Sequence, residues 1–144
     1  MLADVYVLAN ERTAAAAVSF LDRFLPNRVA AAEDYPVPEY ADPPRRVFSD
    51  SADVIEWCAA RPDRSYAVYW LNAQPDSEPH SAHVFFLSDG GMVLGLSSNR
   101  HGAGEPEELM RQLRSFAGSH VGYCTHEQPP AQSTDEFRRL ASVA

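Results

Sequence analysis

A chain of 144 residues, 45% of them hydrophobic and 22% charged, has the size and composition of one folded domain, which excludes wholesale disorder. Its formal net charge of −8 excludes the basic surface that nonspecific nucleic-acid binding needs and favours a basic partner. No apolar run approaches the ~20 residues that span a bilayer, and Met1-Leu2-Ala3-Asp4 lacks the layout of a signal peptide, so a cytoplasmic location without membrane association is expected.

Asp4 to Ala9 reads as a first strand, and Asn10 then offers a helix N-cap. Ala14, Ala17, Val18, Leu21, Phe24 and Leu25 recur at helical spacing until Pro26 ends the pattern. From Asn27 to Arg46 the sequence is irregular. Pro36, Pro38, Pro43 and Pro44 exclude a helix or a central strand there. The stretch interleaves Glu33, Asp34, Glu39 and Asp42 with Tyr35 and Tyr40, and long connections of this kind are often functional.

A second helix is expected from Ser49 or Ser51 to Ala60, closed by Arg61-Pro62-Asp63. Ser65 to Leu71 reads as a strand with Tyr66, Val68 and Trp70 on one face and Ala67, Tyr69 and Leu71 on the other. A polar loop, Asn72 to Pro79, leads to two apolar runs flanking Asp89-Gly90, the signal of a hairpin. A two-residue loop there places His83, Phe85, Leu87, Met92, Leu94 and Leu96 on one face. Ala82, Val84, Phe86, Val93, Gly95 and Ser97 take the other, where Gly95 makes room for Phe86 or Val84.

Asn99 to Gly104 reads as a flexible turn. Pro106 opens a helix favoured by Glu107 and Glu108, with Leu109, Met110, Leu113, Phe116 and Ala117 as its buried stripe and Gly118 as its stop. Val121 to His126 is the last strand. Ser133-Thr-Asp-Glu136 matches a capping box before a short helix that turns Phe137 and Leu140 inward. The expected fold is a single α+β domain over residues 1–144: a mainly antiparallel sheet of about five strands with a central meander, packed by three to four helices on one face. The first and last strands flank the meander or each other.

Motifs for chemistry are thin. His80-x-x-His83 straddles a loop and a strand, and no second cluster completes a tetrahedral metal set, so neither metal nor cofactor is expected. Cys58 and Cys124 are too few for a disulfide framework and read as reduced, buried thiols, with a bridge between the two as the alternative. Gly95-Leu96-Ser97-Ser98 is not a nucleophile elbow, and Gly102-Ala-Gly104 is neither a dinucleotide loop nor a P-loop. All twelve basic residues are arginine, which rules out Schiff-base chemistry on a lysine. Catalysis is therefore not expected.

From Phe85 to Pro130 the chain resembles a pattern in bacterial polymorphic-toxin immunity proteins: a hairpin turning on Asp89-Gly90-Gly91, a polar gap, a helix with an acidic start (Glu105 to Ala117) and a short aromatic strand at Tyr123. The pattern covers about a third of the chain, and Tyr123 stands where the family has a tryptophan after the helix. The resemblance implies a small acidic α+β inhibitor that masks the active site of a cognate toxin. Independently, the acidic loop is suited to contact a basic protein: tyrosines supply area, carboxylates pair with cations, and prolines lower the entropy lost on binding. The expected contacts are Glu33, Asp34, Tyr35, Glu39, Tyr40 and Asp42. Two other readings stand beside this one. Tyr66, Tyr69, Trp70 and His83 line a small-molecule or enzymatic pocket, or the chain is a structural homodimer that buries a sheet edge or aromatic face.

Overall fold

Alternating apolar residues draw most of the strands into one sheet, and the computed structural model describes residues 2–99 and 105–143 of it. The turn expected over residues 100–104 lies outside the described residues. In chain order the elements are β1 (Ala3–Leu8), α1 (Ala14–Phe24), β2 (Arg28–Ala30), β3 (Tyr35–Val37), β4 (Arg46–Phe48), α2 (Ser51–Ala59), β5 (Tyr66–Asn72), β6 (Ser81–Phe86), β7 (Met92–Ser98), α3 (Glu105–Ala117), β8 (Gly122–His126) and α4 (Thr134–Val143). The protein is a single α+β domain. Six strands form an antiparallel sheet in the order β2-β5-β6-β7-β1-β8, and β3 and β4 pair separately. The meander β5-β6-β7 is present, and β1 lies between β7 and β8, so the first strand flanks the meander and the last strand pairs with the first.

The region from Asn27 to Arg46 is not structureless. Val29 pairs with Leu71 to add β2 to the sheet, and Tyr35–Val37 pairs with Arg46–Phe48. These strands are three residues each, too short for a periodic pattern, and Pro36 sits where only a two-stranded ribbon tolerates it.

The hairpin also differs from expectation. Leu87 N donates to Gly91 O and Gly90 N to Leu87 O, so the loop is the three residues Ser88-Asp89-Gly90, with Gly90 at φ 95°. A turn followed by a left-handed residue is the three-residue alternative to the two-residue hairpin. The register moves by one: Phe85 faces Val93 and Val84 faces Leu94. One step exchanges the faces of the second strand, so His83, Phe85 and Leu87 share a face with Val93, Gly95 and Ser97.

Helix boundaries follow their caps. Thr13, not Asn10, caps α1, its Oγ1 accepting from Ala16 N at 3.0 Å. Asn10 instead donates to Ala117 O and Gly118 O, closing the far end of α3. Asp50 caps α2 by accepting from Ala52 N, and Ser133 accepts from Glu136 N at the start of α4 as the capping box predicts. Helices α1, α2 and α3 cover the first face of the sheet. Phe20, Leu21, Ile55 and Leu113 pack there on Val5, Val68, Phe86 and Leu96. Helix α4 covers the opposite face, where one-sided packing was expected, with Phe137 on Leu8, Phe85, Val93 and Tyr123. Arg12 fastens three segments together: its guanidinium donates to the carbonyls of Cys58, Arg61, Arg64, Leu87 and Gly91 at 2.6–3.3 Å. Among the described residues no helix is long and apolar enough to cross a membrane.

Candidate functional site

The pairing register arranges the second face of the sheet into three rows, because direct antiparallel partners share a face. One row is polar in its middle: Val29, Leu71, Ser81, Ser97, Asp4, Thr125. The next is aromatic: Tyr69, His83, Gly95, Tyr6, Tyr123. The third is apolar, with Ala67, Phe85, Val93 and Leu8, and it lies with Phe137 in the smaller core. Helix α4 seats on the apolar row and on Tyr123, whose ring lies 4.8 Å from that of Phe137.

The segment leading into α4 is strapped across the β1 and β8 end. Asp4 accepts from Gln128 N, Tyr6 donates to Gln128 O at 2.5 Å, and Tyr123 accepts from Ala131 N. Asp89 holds Thr134 through N and Oγ1. Burial opposes ionisation of Asp89, but the bonds from Thr134 and Gly91 outweigh it and hold the carboxyl below its usual value. Among the described residues neither helix nor strap covers the face at the β2 and β5 end. Val29, Tyr69 and Leu71 are each more than two-fifths exposed there.

Beneath this open end lies a polar floor. Ser97 Oγ donates to Asp4 Oδ1 at 2.5 Å, and His83 Nε2 meets Ser97 Oγ at 3.2 Å and Ser81 Oγ at 3.0 Å. With the serine proton given to Asp4, the Ser97 contact places the imidazole proton on Nε2 and leaves Nδ1 an acceptor without a partner among the described residues. Burial, and then the neighbouring His80, brings the His83 pKa down to about 4, so the ring is neutral near pH 7. An acid, a serine and a histidine meet here in an order unlike that of nucleophilic catalysis: the acid binds the serine, not the imidazole. Ser97 is 2% exposed. The arrangement is suited to a rigid floor, not to activating a hydroxyl. Gly95 is required by it, since a Cβ would stand 2.8 Å from the Tyr6 ring and 3.0 Å from His83 Nδ1. The space at Gly95 thus serves Tyr6 and His83, where Phe86 or Val84 was expected.

The acidic loop borders the open end and is pinned to it. Tyr35 and Val37 are buried in the main core, and Tyr66 donates to Pro36 O at 2.8 Å. Glu39 accepts from Ala67 N at 3.2 Å, and burial, partly offset by that bond, pushes its pKa up. The anchors hold Tyr40 at φ 66° with 90% of its surface exposed. An aromatic residue in the left-handed region is uncommon and costs about 1 kcal/mol or more. Burial, and then the nearby Tyr40 and Glu39, raise the Tyr69 pKa, so its hydroxyl is a neutral donor near pH 7. Between loop, strand and strap runs a groove of about 460 Å³ lined by Glu39, Tyr40, Tyr69, Phe85, Leu87 and Pro130 among others.

Of the six expected contacts, Glu33, Asp34, Tyr40 and Asp42 stand exposed and Glu39 is half-buried. Tyr35 is 4% exposed and belongs to the core, a correction that follows from its pairing opposite the buried Phe48. The four alternative pocket residues divide between the two faces of the sheet. Tyr66 and Trp70 pack in the main core, Trp70 donating to Ser51 Oγ, while Tyr69 and His83 stand on the other face with ring centroids 5.3 Å apart. Val29 and Leu71 complete the exposed patch. Alternation along β5 puts Leu71 beside Tyr69, but nothing in the sequence marks Val29. Cys58 is buried, with its thiol pushed up to about 12 by burial, whereas Cys124 is exposed where burial was expected. Both are free thiols, and among the described residues no group of three or more His, Cys, Asp or Glu is placed to hold a metal ion.

No family model matches the sequence, and neither the curated proteins nor the solved structures contain a match to it.

Proposed function

We propose that this chain is a non-enzymatic, cytoplasmic protein-binding domain of the immunity type. It docks on a basic partner protein, a toxin or effector, through the open end of the second sheet face. The observation that carries this reading is Tyr40, in a left-handed backbone conformation with 90% of its surface exposed, in the groove that the exposed Tyr69 also lines. Rigid aromatic side chains lose little entropy when they enter a partner's pocket, and they dominate binding energy at interfaces. Glu33, Asp34 and Asp42 stand exposed on the same loop as Tyr40 and steer a cationic partner.

The test is affinity capture from lysate of the source organism with two baits, the native chain and a triple variant Asp34→Asn, Tyr40→Ala, Asp42→Asn. A stoichiometric basic protein, retained by the native bait, weakened by salt and lost with the variant, supports the reading. Equal recovery on both baits overturns the site. A second reading is favoured by the groove of about 460 Å³, whose mixed lining also suits a small molecule. A rise in melting temperature with a metabolite, abolished by Tyr69→Ala, selects it.

A further inference from the structure

The opposite edge of the sheet has a different character. Leu8 N donates to Val121 O, and the register then turns Val121, Tyr123 and Thr125 toward β1. Backbone groups alternate along a strand, so Gly122, Cys124 and His126 turn their N–H and C=O groups outward. Neither proline nor a bulge blunts this edge, although natural edges are usually protected by such devices. Beside it, α3 packs over β1 and leaves a groove of about 910 Å³, lined by Met110, Arg111, Arg114, His120, Gly122 and Cys124 among others. The groove also carries Glu107, and Arg111 is already paired with Glu108.

Arg114 lines the groove as well. Its Nη2 donates to Gly122 O at 3.0 Å, its Nε is shut from solvent without an acceptor, and among the described residues no carboxylate pairs with it. A half-buried guanidinium that lines a groove can turn its remaining Nη donors to a carboxylate. That it occurs on a chain of net charge −8 makes the contrast sharper.

We propose that the groove between α3 and β8 is a docking site for an extended acidic segment of a partner protein. The segment adds to the open edge of β8 as a seventh strand, bonding to the main chain of Cys124 and His126, and sets a carboxylate against Arg114. Main-chain bonds in this mode give affinity, and the side-chain pocket gives selectivity. The site stands at the far edge of the sheet from Tyr40, so it does not depend on the function proposed above.

A seven-residue peptide of alternating valine and glutamate, blocked at both ends, is titrated into the 15N-labelled chain. The controls are the same peptide with lysine for glutamate, and one N-methylated at every second residue. The acidic peptide is expected to shift the amide signals of Gly122, Cys124 and His126, and Arg114→Gln to weaken it about tenfold. The two controls leave the spectrum unchanged. Equal binding of the lysine peptide, or no shift at about 1 mM acidic peptide, overturns the proposal. Shifts of these amides with protein concentration alone also overturn it, because a second copy of the chain is then the occupant. Should Arg114→Gln fail to fold, the comparison of the three peptides on the native chain still decides.

Discussion

The two faces of the six-stranded sheet are built on different rules. The face under α1, α2 and α3 is apolar at its centre, where Val5, Val84 and Leu96 are fully shut from solvent beneath Phe20. The other face grades from an apolar row under α4, through an aromatic row, to a buried polar row beside an open end. The face under three helices supplies most of the stability and opens at its β8 edge, where α3 leaves the groove of about 910 Å³. A face covered by one helix and a strap retains surface for recognition, and its polar groups need bonded partners, which the cluster of Asp4, Ser97, Ser81 and His83 provides.

The strongest way to break this comparison is to truncate one aromatic on each face. Phe20→Ala is expected to cost about 3–5 kcal/mol and to lower the urea midpoint of the whole domain. Phe137→Ala removes a comparable volume from the second face. It is expected to separate the loss of α4 from the unfolding of the sheet, seen as two transitions by fluorescence and circular dichroism. A single shared transition in both variants contradicts the division.

Acid probes the polar row through His83. The unfolded chain binds the His83 proton near pH 6.5 and the folded one only near 4, so acid favours unfolding across that window. The expected loss is about 3 kcal/mol between those limits, read as urea midpoints against pH, and His83→Gln removes that slope. Gly95→Ala tests the aromatic row. Crowding Tyr6 and His83 is expected to cost about 1–3 kcal/mol, and a neutral result shows that the rings have slack. The smallest effect is expected at the open end. Tyr40→Gly removes an exposed ring and its left-handed strain, so stability stays the same or rises by up to about 1 kcal/mol while partner capture is lost.

Much of this layout was legible in the residues. Helical spacing located α1, α2 and α3, the capping box located α4, and alternation along β5 separated Tyr66 and Trp70 from Tyr69. The hairpin was legible as a hairpin but not in register. Asp89-Gly90 serves a two-residue loop and, with Ser88 before it, a three-residue loop, and only tertiary packing chooses. The short strands β2, β3 and β4 were illegible because three residues carry no period. Tyr35 and Tyr40 look alike in sequence, and it is the pairing of β3 with β4 that buries one and frees the other. The polar floor was beyond reach for another reason: Asp4 and Ser97 are 93 positions apart, and only the register of β1 on β7 brings them together.

Arg12 has a consequence for how the molecule opens. Its guanidinium binds the end of α2, the turn that follows it and both sides of the hairpin loop, through five carbonyls. An ammonium group has three donors and cannot span such a set, so Arg12→Lys is not a conservative change. Segments that share one fastener come loose together. The amides of residues 58–64 and 87–91 are therefore expected to exchange with deuterium at a common rate, as one cooperative unit, and to separate into two rates in Arg12→Lys.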